Sequence, residues 1–527
     1  MSGLLTWIGF LAFAARRLMT YLHLFQQEEY DNGRFVRWLV REQVFDRRLS
    51  LALIVLGVLQ FLAPTGLRWL FPLLAGLACL GVAAIESDPR KDAKKRLAMT
   101  ARAKRIYGIA LALLAVLGIA IAIVTDWVVI WLLPVQVTPL ALVAANLILA
   151  PFESSVQRRY WTEAHDKLGQ LRPMVIGITG SYGKTSVKHI LGHVLETAGP
   201  TLITPGSVNT AMGIARIIRE RLAPHHRYFV VEMGAYGIGS IRRLCELAPP
   251  DLAIITAIGK AHYERFKSLE GVAQAKFELA EAALAKNGKT IVAADTLAFP
   301  ASSRFAAAHP DALVTVGDEA EYALVITELR QEADGVVVSV RWNGAEYQLR
   351  APLYGLHQGR NVALAFTAAC ILGMAPEDVV ASLRSVPQIA HRLEVKRQGG
   401  AVLIDDAYNS NPVGFASALG LLDVLRQPGG RRILVTPGMV ELGAEHEPEH
   451  SRIGRLAAEH VDVLLAVAPH RVAALSEAFR EAAPQAELVS CSTFAEAQAW
   501  LDRNLAAHDA VLIENDLPDL YERPLRL

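Results

Sequence analysis

Thiol chemistry is scarce in this sequence. Among 527 residues there are four cysteines, Cys79, Cys245, Cys370 and Cys491, and no two of them form a CxxC pair or a metal-ligand spacing. A disulfide framework and a thiolate metal cluster are excluded, and reduced thiols in packed interiors are expected. An excess of one charge is missing too. Lys plus Arg number 53 against 52 Asp plus Glu, a formal charge of +1, so bulk charge points to no nucleic acid or other polyanionic partner. There is no low-complexity tract and no fixed-period repeat. What remains is a chain of ordinary domains, roughly two to four at this length.

Apolar residues are plentiful, 52% of the chain, and they concentrate in the first 152 residues. Tyr107 to Val124 carries no charge and is long enough to cross a bilayer. Trp127 to Pro151 is a second run, which Pro134 and Pro139 are expected to interrupt. Leu51 to Ile85 reads as two short spans around a tight turn at Pro64 to Arg68. Gly3 to Phe25 begins apolar and then meets Arg16 and Arg17. It is expected to span, or to lie in the interface with its arginines snorkelling. No small-residue cleavage site follows it, so it does not read as a cleavable signal. Arginine and lysine crowd the segments around Arg34 to Arg48, Arg90 to Arg105 and Arg158 to Lys167. The positive-inside rule puts all three in the cytoplasm. The expectation is a membrane region at 1–155 with about four spans besides the first helix. It would make the chain a multi-pass protein of the cytoplasmic membrane, with its remaining domains in the cytoplasm. The two longest runs hold no acidic or basic residue, which favours an anchor or a lipid-accepting groove over a transport path.

After residue 170 the pattern alternates. Short β-rich runs stand at Tyr228–Glu232, Leu252–Thr256, Thr290–Ala294, Ala401–Asp405, Arg432–Thr436, Val463–Val467 and Ala510–Glu514, mostly with helical segments between them. That is the signature of α/β domains with mainly parallel sheets. Ala323 to Leu353 reads instead as consecutive strands turning at Trp342-Asn343-Gly344, an antiparallel edge. A boundary is expected between Pro387 and Arg392.

The chemistry starts at Thr179-Gly180-Ser181-Tyr182-Gly183-Lys184-Thr185-Ser186, between the apolar run Met174–Ile178 and a segment with helical spacing. A strand, a glycine turn and a helix N-terminus make a phosphate cradle. Backbone N–H groups from Gly180 to Ser186 and the Lys184 ammonium favour a nucleotide triphosphate, and the Thr185 hydroxyl suits Mg²⁺. Glu232 closes a later strand, where a carboxylate can also hold Mg²⁺.

Further stretches, in order along the chain, resemble the Mur ligases, most closely the MurF branch that adds D-alanyl-D-alanine to cell-wall precursors. They are Thr179 to Lys188, Pro205 to Thr210, Val231 to Ala235, Thr256 to His262, Ser268 to Glu278, Gly355 to Asn361, His391-Arg392, Asp405 to Pro412 and Pro437 to Gly443. The resemblance covers residues 171 to 515. It implies a P-loop central domain at 171–388 and a Rossmann-like α/β ligase domain at 389–527. It also implies ATP and Mg²⁺ as cofactors. In that family the residues matching His262 and Lys276 organise a second ion, with the lysine carbamylated. Asn209 lies beside the phosphates, Asn361 near the base, Arg392 at the γ-phosphate, and Asp406 and Asn409 in the segment closing over ATP. Gln358 replaces the usual asparagine. The membrane part stands where the family carries a small UDP-sugar domain. An acidic stretch, Glu514-Asn515-Asp516, replaces a KGS-like segment.

The implied reaction is two-step. A carboxylate takes the γ-phosphate of ATP, and an amine then displaces phosphate to form an amide. Lys184, Lys276, His262 and Arg392 would be its catalytic residues, and Thr185, Glu232, His262 and Lys276 its metal-holding ones. The acceptor would be an amino acid or dipeptide, and the donor a small-molecule or lipid-linked peptide precursor. A membrane P-loop ATPase and a nucleotide-binding scaffold are the rival classes.

Overall fold

The computed structural model describes residues 2–41, 43–91, 96–259, 266, 268–408, 410–440 and 442–515. It divides after Gln157 into two units. The first is helical, with helices Ser2–Gln27, Asn32–Arg41, Arg47–Leu62, Leu70–Ile85, Ala101–Val124 and the start of Leu132–Leu171. Among the described residues, three stretches are long and apolar enough to cross a membrane: Thr65–Ile85, Ala101–Val124 and Val128–Leu171. The helix Arg47–Leu62, expected to span, has only 16 residues.

Two expectations for this unit change. Pro134 and Pro139 do not interrupt the helix Leu132–Leu171, which also runs through Pro151. Pro134 lies in the first turn, where no N–H is needed. The Thr138 hydroxyl beside Pro139 donates to the Pro134 carbonyl at 2.9 Å. Arg17 does not snorkel. It is 5% exposed and pairs with Asp46 at 2.9 Å and Glu86 at 3.4 Å. Asp46 caps the helix Arg47–Leu62 and Glu86 follows the helix Leu70–Ile85, so one guanidinium ties three helices. Small residues allow the closest approach. A Cβ on Gly9 would lie 2.2 Å from the Gly76 carbonyl oxygen.

The second unit holds two sheets. In the larger the order is β2-β3-β1-β4-β5-β6-β7-β8-β9, with β1 Met174–Thr179, β2 Thr201–Ile203, β3 Tyr228–Glu232, β4 Leu252–Ile255, β5 Lys289–Ala293, β6 Leu313–Gly317, β7 Leu324–Glu332, β8 Gly335–Trp342 and β9 Ala345–Ala351. Strands β2 through β7 pair in parallel, and β7-β8-β9 are antiparallel. The β8–β9 turn has φ 48° at Asn343 and 82° at Gly344, the two left-handed residues a tight hairpin needs. In β1 every residue after Met174 is buried, as expected of a central parallel strand covered on both faces.

In the smaller sheet the order is β10-β11-β15-β12-β13-β14, with β10 Glu394–Gln398, β11 Ala401–Asp406, β12 Arg432–Thr436, β13 Val463–Val467, β14 Glu487–Cys491 and β15 Ala510–Glu514. Only β10 runs antiparallel. The seven runs read from sequence are strands here. Strands β2, β6, β10 and β14 were not read from sequence. The first has three residues, β6 is a five-residue run of alternating burial, and the other two are edge strands whose residues are mostly exposed or half-buried.

Candidate functional site

Strand β1 delivers the chain into the turn Gly180 to Gly183, and the helix Lys184–Glu196 leaves it. Gly183 sits at φ 81°, a left-handed position. Among the described residues no side chain caps that helix, so its first-turn N–H groups stay open to an anion. Ser181 anchors the loop. Its N–H donates to the Ala257 carbonyl at 2.8 Å, and its hydroxyl meets Gly259 at 2.9 and 3.1 Å. The Lys184 ammonium donates to the Gly180 carbonyl at 2.7 Å, folded back over the turn. Ser186 is buried in the first turn of the helix.

Glu232, at the end of β3, is the centre of the site and is 1% exposed. Its Oε2 accepts from the Thr185 hydroxyl at 2.9 Å and from Lys188 Nζ at 3.0 Å. Its Oε1 accepts from Asn209 Nδ2 at 3.3 Å. Burial pushes the Glu232 carboxyl up, but Lys188 and Lys184 outweigh it and hold the pKa below the usual range. The phosphate-loop hydroxyl and this carboxylate form a hard oxygen donor pair beside the anion cradle, which fits Mg²⁺.

Lys276 lies on the helix Leu269–Leu284, capped by Ser268. It is 4% exposed. Burial, reinforced by the Lys184 charge, lowers its pKa far below the ordinary lysine value. A lowered pKa favours the neutral amine, the form that can take up CO₂. Two residues on, Glu278 accepts from the N–H groups of Gly239 at 2.5 Å and Arg242 at 2.9 Å, pinning this helix to the N-terminus of Ser240–Leu247.

Arg392 arrives from the segment between the sheets. Its guanidinium donates to Thr185 Oγ1 at 3.3 Å and lies 4.5 Å over the Tyr408 ring. The flanking residues His391 and Leu393 both have positive φ, 59° and 50°. Asp406, ending β11, accepts from the Leu393 N–H at 3.2 Å. Burial raises its pKa to about 6, with Arg392 opposing. Glu514, ending the neighbouring β15, is pushed further up by burial and by Asp406, and accepts from Ser410 at 2.5 Å. Asn361 is buried and donates to Gln358 at 3.0 Å, so the glutamine takes over a supporting role in that segment. His357 is held neutral, its pKa pushed down to about 4 by burial and by Arg392.

The structure thus gathers Gly180, Ser181, Gly183, Lys184, Thr185, Asn209, Glu232, Lys276, Asn361 and Arg392 around the loop. Asp406 stands at the end of β11, beside the linker that carries Arg392. His262 and Asn409 lie outside the described residues. Sequence reasoning missed Lys188 as a partner of Glu232. The available signal was spacing: Lys188 follows Thr185 by three positions and so shares its helix face. It also missed Tyr408 as the surface on which Arg392 rests.

Known proteins are similar to this chain over the same two sheets. Residues 178–369 match the Mur ligase middle domain, and residues 391–514 match the Mur ligase glutamate ligase domain. The UDP-N-acetylmuramoyl-tripeptide–D-alanyl-D-alanine ligase of Mycobacterium tuberculosis (strain ATCC 25618 / H37Rv) is 34% identical over 290 residues, 54% of this chain and 56% of that protein. The Escherichia coli (strain K12) protein of the same name is 31% identical over 312 residues, 56% of this chain and 65% of that one. A crystal structure of MurF from Acinetobacter baumannii superposes with a TM-score of 0.59 at 27% identity, covering 68% of this chain and 77% of that chain. This chain spans 56% to 65% of the length of such curated relatives.

Proposed function

We propose that this chain, which carries the middle and C-terminal domains of the Mur ligases, is an ATP-dependent, ADP-forming carboxylate–amine ligase. Its task is to join D-alanyl-D-alanine to a UDP-N-acetylmuramoyl tripeptide in peptidoglycan precursor synthesis, as the names of its relatives state for them. One observation carries the reading. Thr185 of the phosphate loop is touched at once by Glu232 from β3 and by Arg392 from the linker to the second sheet.

In this reading the donor carboxylate oxygen attacks the γ-phosphorus of ATP and ADP leaves. The acceptor amine then attacks the acyl carbon, and phosphate leaves. The first step needs charge neutralisation and in-line placement more than protein acid–base chemistry; in the second the acceptor attacks as the neutral amine and sheds a proton to solvent as the amide forms. Lys184 and Arg392 neutralise the phosphate tail. The open N–H groups at the start of the phosphate-loop helix fix its position. Asn361 and Asp406 orient the nucleoside. The second α/β domain, closing with Arg392, excludes water from the acyl phosphate. Mg²⁺ held by Thr185 and Glu232 would add Lewis-acid neutralisation of the phosphate oxygens. Lys276, as a carbamate, would add an anion to that ion-binding shell.

The same reading places the apolar helices before Gln157 in the cytoplasmic membrane, with the catalytic domains on the cytoplasmic side. Three helices of sufficient length and the flanking arginines and lysines support it. They also favour a second reading with the same chemistry, in which the donor peptide is lipid-linked. Detergent-purified protein is assayed for phosphate release with UDP-muramoyl tripeptide or its lipid-linked form, each with D-alanyl-D-alanine. Release that requires both substrates, with a product of the summed mass minus water, is the expected result. ATP turnover indifferent to every donor and acceptor would overturn the ligase reading in favour of an ATPase.

A further inference from the structure

Lys188 has no place in the phosphate cradle, yet its side chain is 0% exposed. It sits one turn along the helix from Lys184 and Thr185, on the face that meets β3. Its ammonium donates to Glu232 Oε2 at 3.0 Å and to the Gly206 carbonyl in the loop leading to Asn209. Thr185 uses the same carboxylate oxygen, and Asn209 uses the other. Both oxygens of Glu232 are therefore engaged by protein donors. A hard cation arriving alone must break into this set and bear the repulsion of an ammonium 3.0 Å from its ligand. A cation arriving with a triphosphate brings oxygens and negative charge of its own. It meets Lys184 and Arg392 as attractive partners.

We propose that Lys188 is a positioning residue that holds Glu232 closed in the nucleotide-free protein, so that divalent-cation binding is conditional on nucleotide. The inference rests on reading this site as an ATP site. It also gives the 204–210 loop its role: the Gly206 bond keeps Asn209 against Glu232 while the ammonium neutralises the carboxylate.

The full chain in detergent is titrated with Mn²⁺ alone, free Mn²⁺ being read by electron paramagnetic resonance, and separately with Mg-ATP by calorimetry. Wild-type protein is expected to take up no stoichiometric Mn²⁺ without nucleotide. Lys188→Met exposes an uncompensated carboxylate and is expected to bind one Mn²⁺ at least about tenfold more tightly, the worth of one charged hydrogen bond. Lys188→Arg keeps the charge and behaves as wild type. Adding Glu232→Gln to Lys188→Met abolishes the gain and so locates the ion. Should the Met variant fail to fold, Lys188→Gln removes the charge while retaining a donor for Gly206. Wild-type protein that binds Mn²⁺ equally well with and without nucleotide overturns the proposal. So do charge-removing variants with wild-type uptake. Normal Mg-ATP binding with either result confines the failure to this inference; absent Mg-ATP binding fails the ATP-site reading itself.

Discussion

Replacing Gly183 by alanine tests the phosphate loop where backbone and side chain constrain it together. The residue has φ 81°, so an L side chain there costs about 1–2 kcal/mol. The added Cβ would lie 2.5 Å from Asn361 Oδ1, well inside contact distance. Asn361 is 6% exposed and bonded to Gln358 at 3.0 Å, so it cannot move without loosening a buried hydrogen bond worth about 1 kcal/mol. Together these terms put the local penalty at about 2–3 kcal/mol. Amide hydrogen exchange reads it directly. The hydrogen-bonded amides just after the first turn of the helix Lys184–Glu196 should exchange roughly 30- to 150-fold faster in Gly183→Ala, since 1.4 kcal/mol is a factor of ten. Affinity for Mg-ATP should fall with it, because Asn361 is displaced from its position near the nucleoside. Unchanged exchange in this helix, with wild-type nucleotide affinity, would refute both the loop geometry and the role given to Asn361.

Three other outcomes are expected. The unfolded chain keeps the Lys276 proton up to the ordinary value of 10.5 while burial makes the folded amine lose it earlier, so stability falls as pH drops below 10.5. Lys276→Met removes that dependence; it should melt higher than wild type at pH 7 without bicarbonate, converge with it toward pH 10.5, and lose ligation, and a lower melting point at pH 7 would count against a strained, functional amine. Arg392→Lys cannot both stack on Tyr408 and reach Thr185; turnover should fall by about 10²-fold with ATP affinity largely kept, whereas wild-type turnover would remove Arg392 from the chemistry. Gly76→Leu places a side chain 2.7 Å or less from the Leu5 carbonyl oxygen, so the helical unit should aggregate on size exclusion in detergent, and a monodisperse variant would contradict the close helix contact.

Much of the site was legible because its signals are contiguous. Strand, turn and helix at 174–196 follow one another in sequence, and the glycine, lysine and threonine positions have a local reason. The hairpin at Asn343-Gly344 was legible on the same ground. The edge strands β10 and β14 were not, since most of their residues are exposed or half-buried and neither carries the continuous apolar run of a strand covered on both faces. Arg17 was misread for a related reason. A lone arginine in an apolar run says nothing of Asp46 and Glu86, which reach it from 29 and 69 positions away. Pro139 and Pro151 look like breakers in sequence. The long helix runs through both, each proline leaving the carbonyl four residues before it, Val135 or Leu147, without its helical donor.

The sequence by itself determined the phosphate loop, the order of the α/β elements and the apolar stretches near the start. Each is set by neighbours within a turn or a strand's length. Only the tertiary structure decided what Glu232 meets. Thr185 and Lys188 come from one helix, Asn209 from a loop, and Arg392, which reaches the same threonine, from beyond the larger sheet. Burial then converts those meetings into chemistry. Out of water, burial pushes both Lys188 and Lys276 below the ordinary lysine pKa; Glu232 opposes the shift at Lys188, and the Lys184 charge adds to it at Lys276.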